Sequence, residues 1–171
     1  MALTEEEARA QAEAEVRAYC GWHITPLATE TLTVDGSGNC SQMLPTLHLI
    51  SVTAVTNDGD DLTVGLGPNS EVEWSHNGYL RFNTWNRRRK FTQRLQGVTA
   101  AVVHGYADWP LDLLAVVRRL TQRALDGDAA GILAQVGQVR YATASDGLPA
   151  TGTLTDLDRN VLDRYRLPPW P

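Results

Sequence analysis

Four residues of metal-ligating type lie early in the chain: Cys20, His23, Cys40 and His48. Tetrahedral zinc sites draw their ligands in short paired spacings. Cys20-x-x-His23 is one such pair, but it straddles the end of a predicted helix, and Cys40 and His48 supply no second pair. This spacing predicts a buried structural thiol and a loop histidine, not a metal centre. Asn57-Asp58-Gly59-Asp60-Asp61 has the acids of a calcium loop. A twelve-residue loop opening at Asp58 would close on Asn69, where a bidentate Glu is required, so a hairpin turn is the expected role. His104 and Asp108 flank a strand-to-helix junction. Acid–base work there would also need an activated nucleophile and an oxyanion site, and the chain has no Gly-x-Ser-x-Gly elbow. The preferred reading gives Gly105 an unusual backbone angle and makes Asp108 a helix cap. P-loop, dinucleotide and His-Glu-x-x-His signatures are absent. No catalytic residue, metal or cofactor is expected.

One stretch carries chemistry of another kind. Trp85-Asn86-Arg87-Arg88-Arg89-Lys90-Phe91 interleaves cations with aromatics. Such a pattern suits stacking on single-stranded bases, docking on an acidic partner, or an exposed hairpin tip whose Trp and Phe enter the core. The surroundings matter. Arg81 to Arg94 contains no acid, whereas Asn57 to Trp74 holds Asp58, Asp60, Asp61, Glu71 and Glu73 and no base. The whole chain has 15 basic and 20 acidic residues, a net charge of −5. That balance argues against broad electrostatic binding of nucleic acid.

The elements that position these residues follow from periodicity. Thr4 to Cys20 reads as a helix opened by a Thr4/Glu7 capping box. Ala8, Ala12, Val16 and Tyr19 share one face, and Glu5, Arg9, Glu13 and Arg17 form a charge ladder. From Thr29 to Tyr106 the period becomes two, and the turn signals Asp35-Gly36, Asn57-Asp58-Gly59 and Asn77-Gly78 punctuate it. Five or six short antiparallel strands are expected, including one over Leu62, Val64 and Leu66. Helical spacing returns at Pro110, with Leu113, Val117, Leu120 and Ala124 on one face and Gly127 as its end. Val136 to Thr143 reads as one more strand. A final helix from about Thr155 to Leu167 places Leu157, Val161 and Tyr165 together before Pro168-Pro169. The fold class is α+β. Residues 1–141 form a small helical scaffold with an inserted antiparallel β-region at about 29–106. Residues 142–152 form a flexible linker, and 153–171 a C-terminal docking helix and tail. The longest apolar run, Leu113 to Val117, is too short to span a bilayer, and Glu5, Glu6 and Glu7 stand where an export signal would be basic. The chain reads as soluble and made in a reducing cytoplasm.

The order of these pieces resembles the head-to-tail connector (adaptor) proteins of long-tailed double-stranded DNA phages. The resemblance rests on Leu3-Thr4-Glu5-Glu6 opening an Ala-rich helix, Cys20-Gly21-Trp22-His23-Ile24, Glu30 to Gly36, Leu44-Pro45 before Ser51 to Val55, Val72-Glu73-Trp74-Ser75, Gly78 to Arg81, His104-Gly105-Tyr106 with Pro110, and the ending Leu162 to Pro168. It spans nearly the whole chain, although no single piece is diagnostic, and the basic stretch is denser than the family pattern. The resemblance implies a structural virion protein, not an enzyme. Copies would form a ring, commonly dodecameric, beneath the portal at the virion neck, after synthesis in the host cytoplasm. The partners implied are further copies, the portal protein and a stopper or tail-completion protein. Packaged DNA would pass through without specific binding, and no membrane is involved. Portal docking is expected from Leu157, Val161, Tyr165, Arg166 and Trp170, and neck-protein docking from Trp85, Arg87, Arg88, Arg89 and Lys90. Two competing readings are a small binding module with a β-sheet recognition face and a hydrolase using His104 and Asp108.

Overall fold

The computed structural model describes residues 3–83, 89–133 and 154–169. The chain is α+β and divides into two compact units. The strand expected at Val136 to Thr143 and the linker expected at 142–152 lie outside the described residues.

The helical unit takes residues 1–20 and 110–166. Helix α1 (Glu5–Cys20) starts where Thr4 and Glu7 exchange hydrogen bonds: the Glu7 amide donates to Thr4 Oγ1 and the Thr4 amide to Glu7 Oε2. Glu13 accepts from both Arg9 and Arg17, so the charge ladder forms around one carboxylate. The buried face is Ala8, Ala12, Val16 and Cys20. Tyr19 stands half-buried beside that face because its hydroxyl reaches Asp163. Small side chains at Ala8 and Ala12 allow the close approach of α1 to α2 (Leu111–Leu133), which buries Leu113, Val116, Val117 and Leu120. Helix α2 runs through Gly127 rather than ending there. An interior glycine costs only about 1 kcal/mol relative to alanine, too little to stop a packed helix. Helix α3 (Asp156–Leu162) is shorter than its sequence pattern suggests and tightens into a 3-10 turn, Asp163–Tyr165. It packs on α1 and α2.

The β unit, residues 21–109 with those after Arg166, holds seven strands in two sheets among the described residues. These are β1 (Ala28–Val34), β2 (Ser41–Met43), β3 (Leu49–Asn57), β4 (Asp60–Leu62), β5 (Val72–Trp74), β6 (Tyr79–Phe82) and β7 (Val98–His104). One sheet has the order β1-β7-β3-β4 and the other β2-β6-β5, all pairs antiparallel. The count exceeds the expected five or six because Ser41–Met43 has no alternation to betray it; its pairing with β6 makes it a strand. The expected strand over Leu62 to Leu66 stops at Leu62. Val64 makes one bridge to Val72, and Leu66 is exposed. Val34, Leu44, Leu49, Val55, Leu80, Phe82, Phe91 and Val98 contribute to the core of this unit.

Two turns show how local chemistry fixes register. Asn57 pairs with Asp60 across a two-residue turn in which Asp58 and Gly59 both have positive φ, +57° and +90°. This is the type I′ geometry that matches strand twist. The Asn77-Gly78 hairpin is one residue longer than the dipeptide suggests. The Ser75 amide donates to the Tyr79 carbonyl, the Gly78 amide to the Ser75 carbonyl, and Gly78 sits at φ +83°. A Cβ at Gly78 would lie 2.0 Å from the Thr46 carbonyl oxygen, so this glycine also admits the neighbouring chain. No described helix is long and apolar enough to cross a membrane.

Candidate docking surfaces

The fold brings the acidic and basic stretches of the sequence together. Arg89 pairs with Glu71 and lies 5.4 Å from the centroid of the Phe82 ring. Arg81 pairs with Glu73 at 3.5 Å and Arg94 with Asp58 at 2.6 Å. Glu71 also accepts from the amide and hydroxyl of Thr63; the Thr63 amide foremost, then its hydroxyl and Arg89, hold its carboxyl below the usual range. These pairs are largely exposed, and each is worth no more than about 1 kcal/mol. Their effect is on the field: three cations that looked unopposed in the sequence have partners.

Phe91 is fully buried, 4.7 Å from the Phe82 ring centroid. The backbone beside it is pinned, with the Phe91 amide on the Asn39 carbonyl and Asn57 Oδ1 accepting from the Thr92 amide. Lys90 is exposed. Trp85, Arg87 and Arg88 lie outside the described residues. The side of the basic stretch that reenters the core is therefore anchored by Phe91 and Arg89, and Lys90 is presented to solvent.

The C-terminal elements are held by a buried carboxylate. Asp158 is fully buried, accepts from Arg119 at 2.7 and 3.0 Å and from Arg123 at 2.8 Å, and closes a capping box with Thr155. Burial alone would raise its pKa. The bonds from Thr155, Arg123 and Arg119 outweigh burial and hold it at about 2. Leu162 is fully buried beside this network. Farther along, the Tyr165 hydroxyl donates to Asp112 at 3.0 Å, the Tyr19 hydroxyl donates to Asp163 at 2.7 Å, and Arg166 lies 5.3 Å from the Tyr19 ring centroid. Asp158 and Leu162 face inward, with Val161 and Tyr165 half-buried beside them, while Leu157 is 65% exposed. The expected stripe of Leu157, Val161 and Tyr165 is thus split. The surface that covers Val161 and Tyr165 belongs to this chain, and Leu157 and Arg166 remain outward. Trp170 lies outside the described residues. Thr155-x-x-Asp158 is itself a capping-box spacing, so the local part of this role is legible in the sequence.

His104 and Asp108 do not form a pair. His104 is 1% exposed and donates Nε2–H to Glu30 at 2.7 Å, with Nδ1 buried and without a hydrogen-bond partner. Asp108 is exposed, and α2 begins beyond Pro110, so Pro110 rather than Asp108 immediately precedes the helix. Gly105 has the predicted unusual angle, φ +93°. His48 donates Nδ1–H to the Gly105 carbonyl and stacks on Tyr106 at 4.0 Å. Among the described residues no three His, Cys, Asp or Glu side chains are grouped to hold a metal ion. Cys20 is buried and Cys40 exposed. Burial pushes the Cys20 thiol up to about 11. A thiol reagent on the native protein at pH 8 should therefore label Cys40 within minutes and Cys20 only after denaturant is added. Equal labelling of both before unfolding would contradict this.

The fold has counterparts among solved structures. The chain is similar in fold to neck chains of a gene transfer agent (GTA) particle. A chain in the neck of the native GTA particle computed with C12 symmetry aligns with a TM-score of 0.56 at 15% identity, over 95% of this chain and 81% of that one. A chain in the virion of the native particle gives 0.56 at 14%, over 95% and 76%. One in the neck of the empty particle computed with C6 symmetry gives 0.52 at 16%, over 95% and 77%. No family model and no curated protein matches the sequence.

Proposed function

We propose that this chain is a structural subunit of a virion neck. Copies assemble as a ring of twelve beneath the portal, join the DNA-filled head to the stopper or tail-completion protein, and let packaged DNA pass without specific binding. The observation that carries this reading is the fold shared with neck chains over 95% of the sequence. The C12 symmetry of one of those necks supports the ring size. The net charge of −5 supports the passive channel, since phosphates are repelled rather than gripped. No catalytic step is assigned: His104 is committed to Glu30, and the acid proposed as its partner is elsewhere. The deciding experiment adds purified protein to portal-bearing heads and images the vertex. A closed ring at the portal supports the reading, and a chain that stays monomeric and unbound overturns it.

Within this reading, Arg87, Arg88 and Lys90 dock on an acidic neck protein. Arg89 is spared from the test because Glu71 holds it. Neutralising the other three should weaken neck assembly about tenfold or more, as loss of charge complementarity does, while DNA affinity stays negligible at physiological salt. Micromolar, salt-sensitive DNA binding by the wild type that disappears in this variant would assign the stretch to DNA instead.

A further inference from the structure

The β unit carries an apolar knob at one end and a groove at the other. The knob is Leu95, 80% exposed on the turn at residues 94–97. Hydrogen bonds fix this turn. The Arg94 carbonyl accepts from the Gly97 and Gly36 amides, and the Gln96 amide donates to Asp35 Oδ1 at 2.7 Å, with Gln96 at φ +55°. A leucine on a turn held this firmly is ordered before it meets a partner, so docking it costs little further conformational entropy. The groove lies on the three-stranded sheet. Its volume of about 420 Å³ falls within the roughly 300–1,000 Å³ of ordinary binding clefts, and its lining includes Trp74, Tyr79 and Leu80 with the Glu73 and Arg81 ion pair. Tyr79 is 47% exposed and Trp74 half-buried, residue types enriched at interface hot spots.

Strand β3 separates the two features. Trp74 meets His76 edge-on at 5.2 Å, and His76 exchanges hydrogen bonds with Leu49, the first residue of β3. The turn meets the opposite end: the Gly97 carbonyl accepts from the Asp58 amide, one residue past Asn57, where β3 stops. Nine extended residues span about 25 Å. Leu95 therefore cannot enter the groove of its own chain, and a contact between the two joins one copy to the next. A knob and a groove at different places on the subunit make a heterologous contact, the type that closes rings. The charges fit as well. Beside Leu95, Arg94 pairs with Asp58 at 2.6 Å; in the groove, Arg81 pairs with Glu73 at 3.5 Å. Brought together, the two pairs can cross over, Arg94 to Glu73 and Arg81 to Asp58, so that every charge meets its opposite. Solvent-exposed pairs are weak, and little opposes the exchange.

We propose that Leu95 of one copy seats in the groove of Trp74 and Tyr79 on the next, with Arg94 reaching Glu73 and Asp58 meeting Arg81. The inference rests on the ring reading above and names one of its subunit contacts. A charge-reversal cycle tests it, read by sedimentation of assembled rings. Glu73→Arg and Arg94→Glu should each weaken ring formation about tenfold, and the chain carrying both should return to within about threefold of wild type. Sites this far apart act additively within one chain, so recovery reports a contact between copies. Leu95→Ala gives an independent reading. Loss of this exposed side chain should leave the melting temperature of the dissociated chain unchanged while ring formation falls about tenfold. Weakening in both single charge variants without recovery in the combined chain overturns the contact. Rings of wild-type strength from Leu95→Ala overturn it too, while leaving the ring reading intact. A wild-type chain that forms no ring, alone or on portal-bearing heads, overturns the ring reading and this contact with it.

Discussion

Asp158→Ala is expected to lower stability by about 2–4 kcal/mol. Removing one partner of a buried ion pair costs about 3–5 kcal/mol when the other is left stranded. Arg119 and Arg123 are 39% and 35% exposed and can rehydrate, which trims that figure. The loss of the Thr155 capping box adds to it by about 1 kcal/mol. Urea titration followed by helix signal measures the change, and a loss under 1 kcal/mol would show that the network is ornamental. Acid provides a second reading of the same group. The folded carboxyl stays ionised down to about pH 2, whereas the ordinary value is 3.8. Its contribution is therefore complete above about pH 4 and disappears as pH falls from 4 to 2, an effect on the order of 2 kcal/mol. Glu15 works in the other direction: burial foremost raises its pKa, so the stability linked to it is present in acid and fades as pH rises. The difference between wild type and Asp158→Asn across pH 2–5 isolates the Asp158 contribution. A parallel pair of curves would refute the assignment.

Asp158 also shows where sequence reading ends. Its capping spacing is local and legible, but its buried charge depends on two arginines some 35–39 residues away on another helix. Helix α1 was readable from Thr4 to Cys20 because its cap, ladder and apolar face are all nearest-neighbour properties. The α+β class was readable because the hydrophobic period changes twice. The division into two sheets was not, since Ser41–Met43 becomes a strand only through Tyr79, Leu80 and Arg81 opposite it. The basic stretch misled for the same reason. Arg81, Arg89 and Arg94 seem unopposed along the chain, yet Glu73, Glu71 and Asp58 meet them across the fold. His104 lies close in sequence to Asp108 and finds its acid on β1 instead. Local pattern predicts elements well, whereas charge partners are set by strand register and helix packing.

Deleting Asp156–Pro171 is the second change with a large expected effect, because α3 packs on α1 and α2. Here Leu162 is fully buried, and its loss alone removes about 2–3 kcal/mol of apolar burial. The deletion also removes the Asp158 network, the Tyr165–Asp112 and Tyr19–Asp163 bonds, and the cover over Cys20, whose Sγ lies 3.9 Å from the Leu162 carbonyl oxygen. The sum exceeds about 4 kcal/mol, a large part of a typical domain's stability. The truncated chain should lose helix signal or aggregate, and Cys20 should become reactive at pH 8. If it instead keeps wild-type helix content and melting temperature, α3 does not belong to the helical core. Portal docking therefore has to be tested on the outward residues. Leu157 is 65% exposed, so Leu157→Ala should change stability by less than about 0.5 kcal/mol. Among the described residues, Arg166→Ala loses its contact over the Tyr19 ring, about 0.5–1 kcal/mol. On the proposed neck reading, with the portal contact on these outward residues, the combined variant should stay folded and join portal-bearing heads more weakly, by about tenfold or more. Wild-type joining by this folded double variant would place the portal contact away from the outward side of α3.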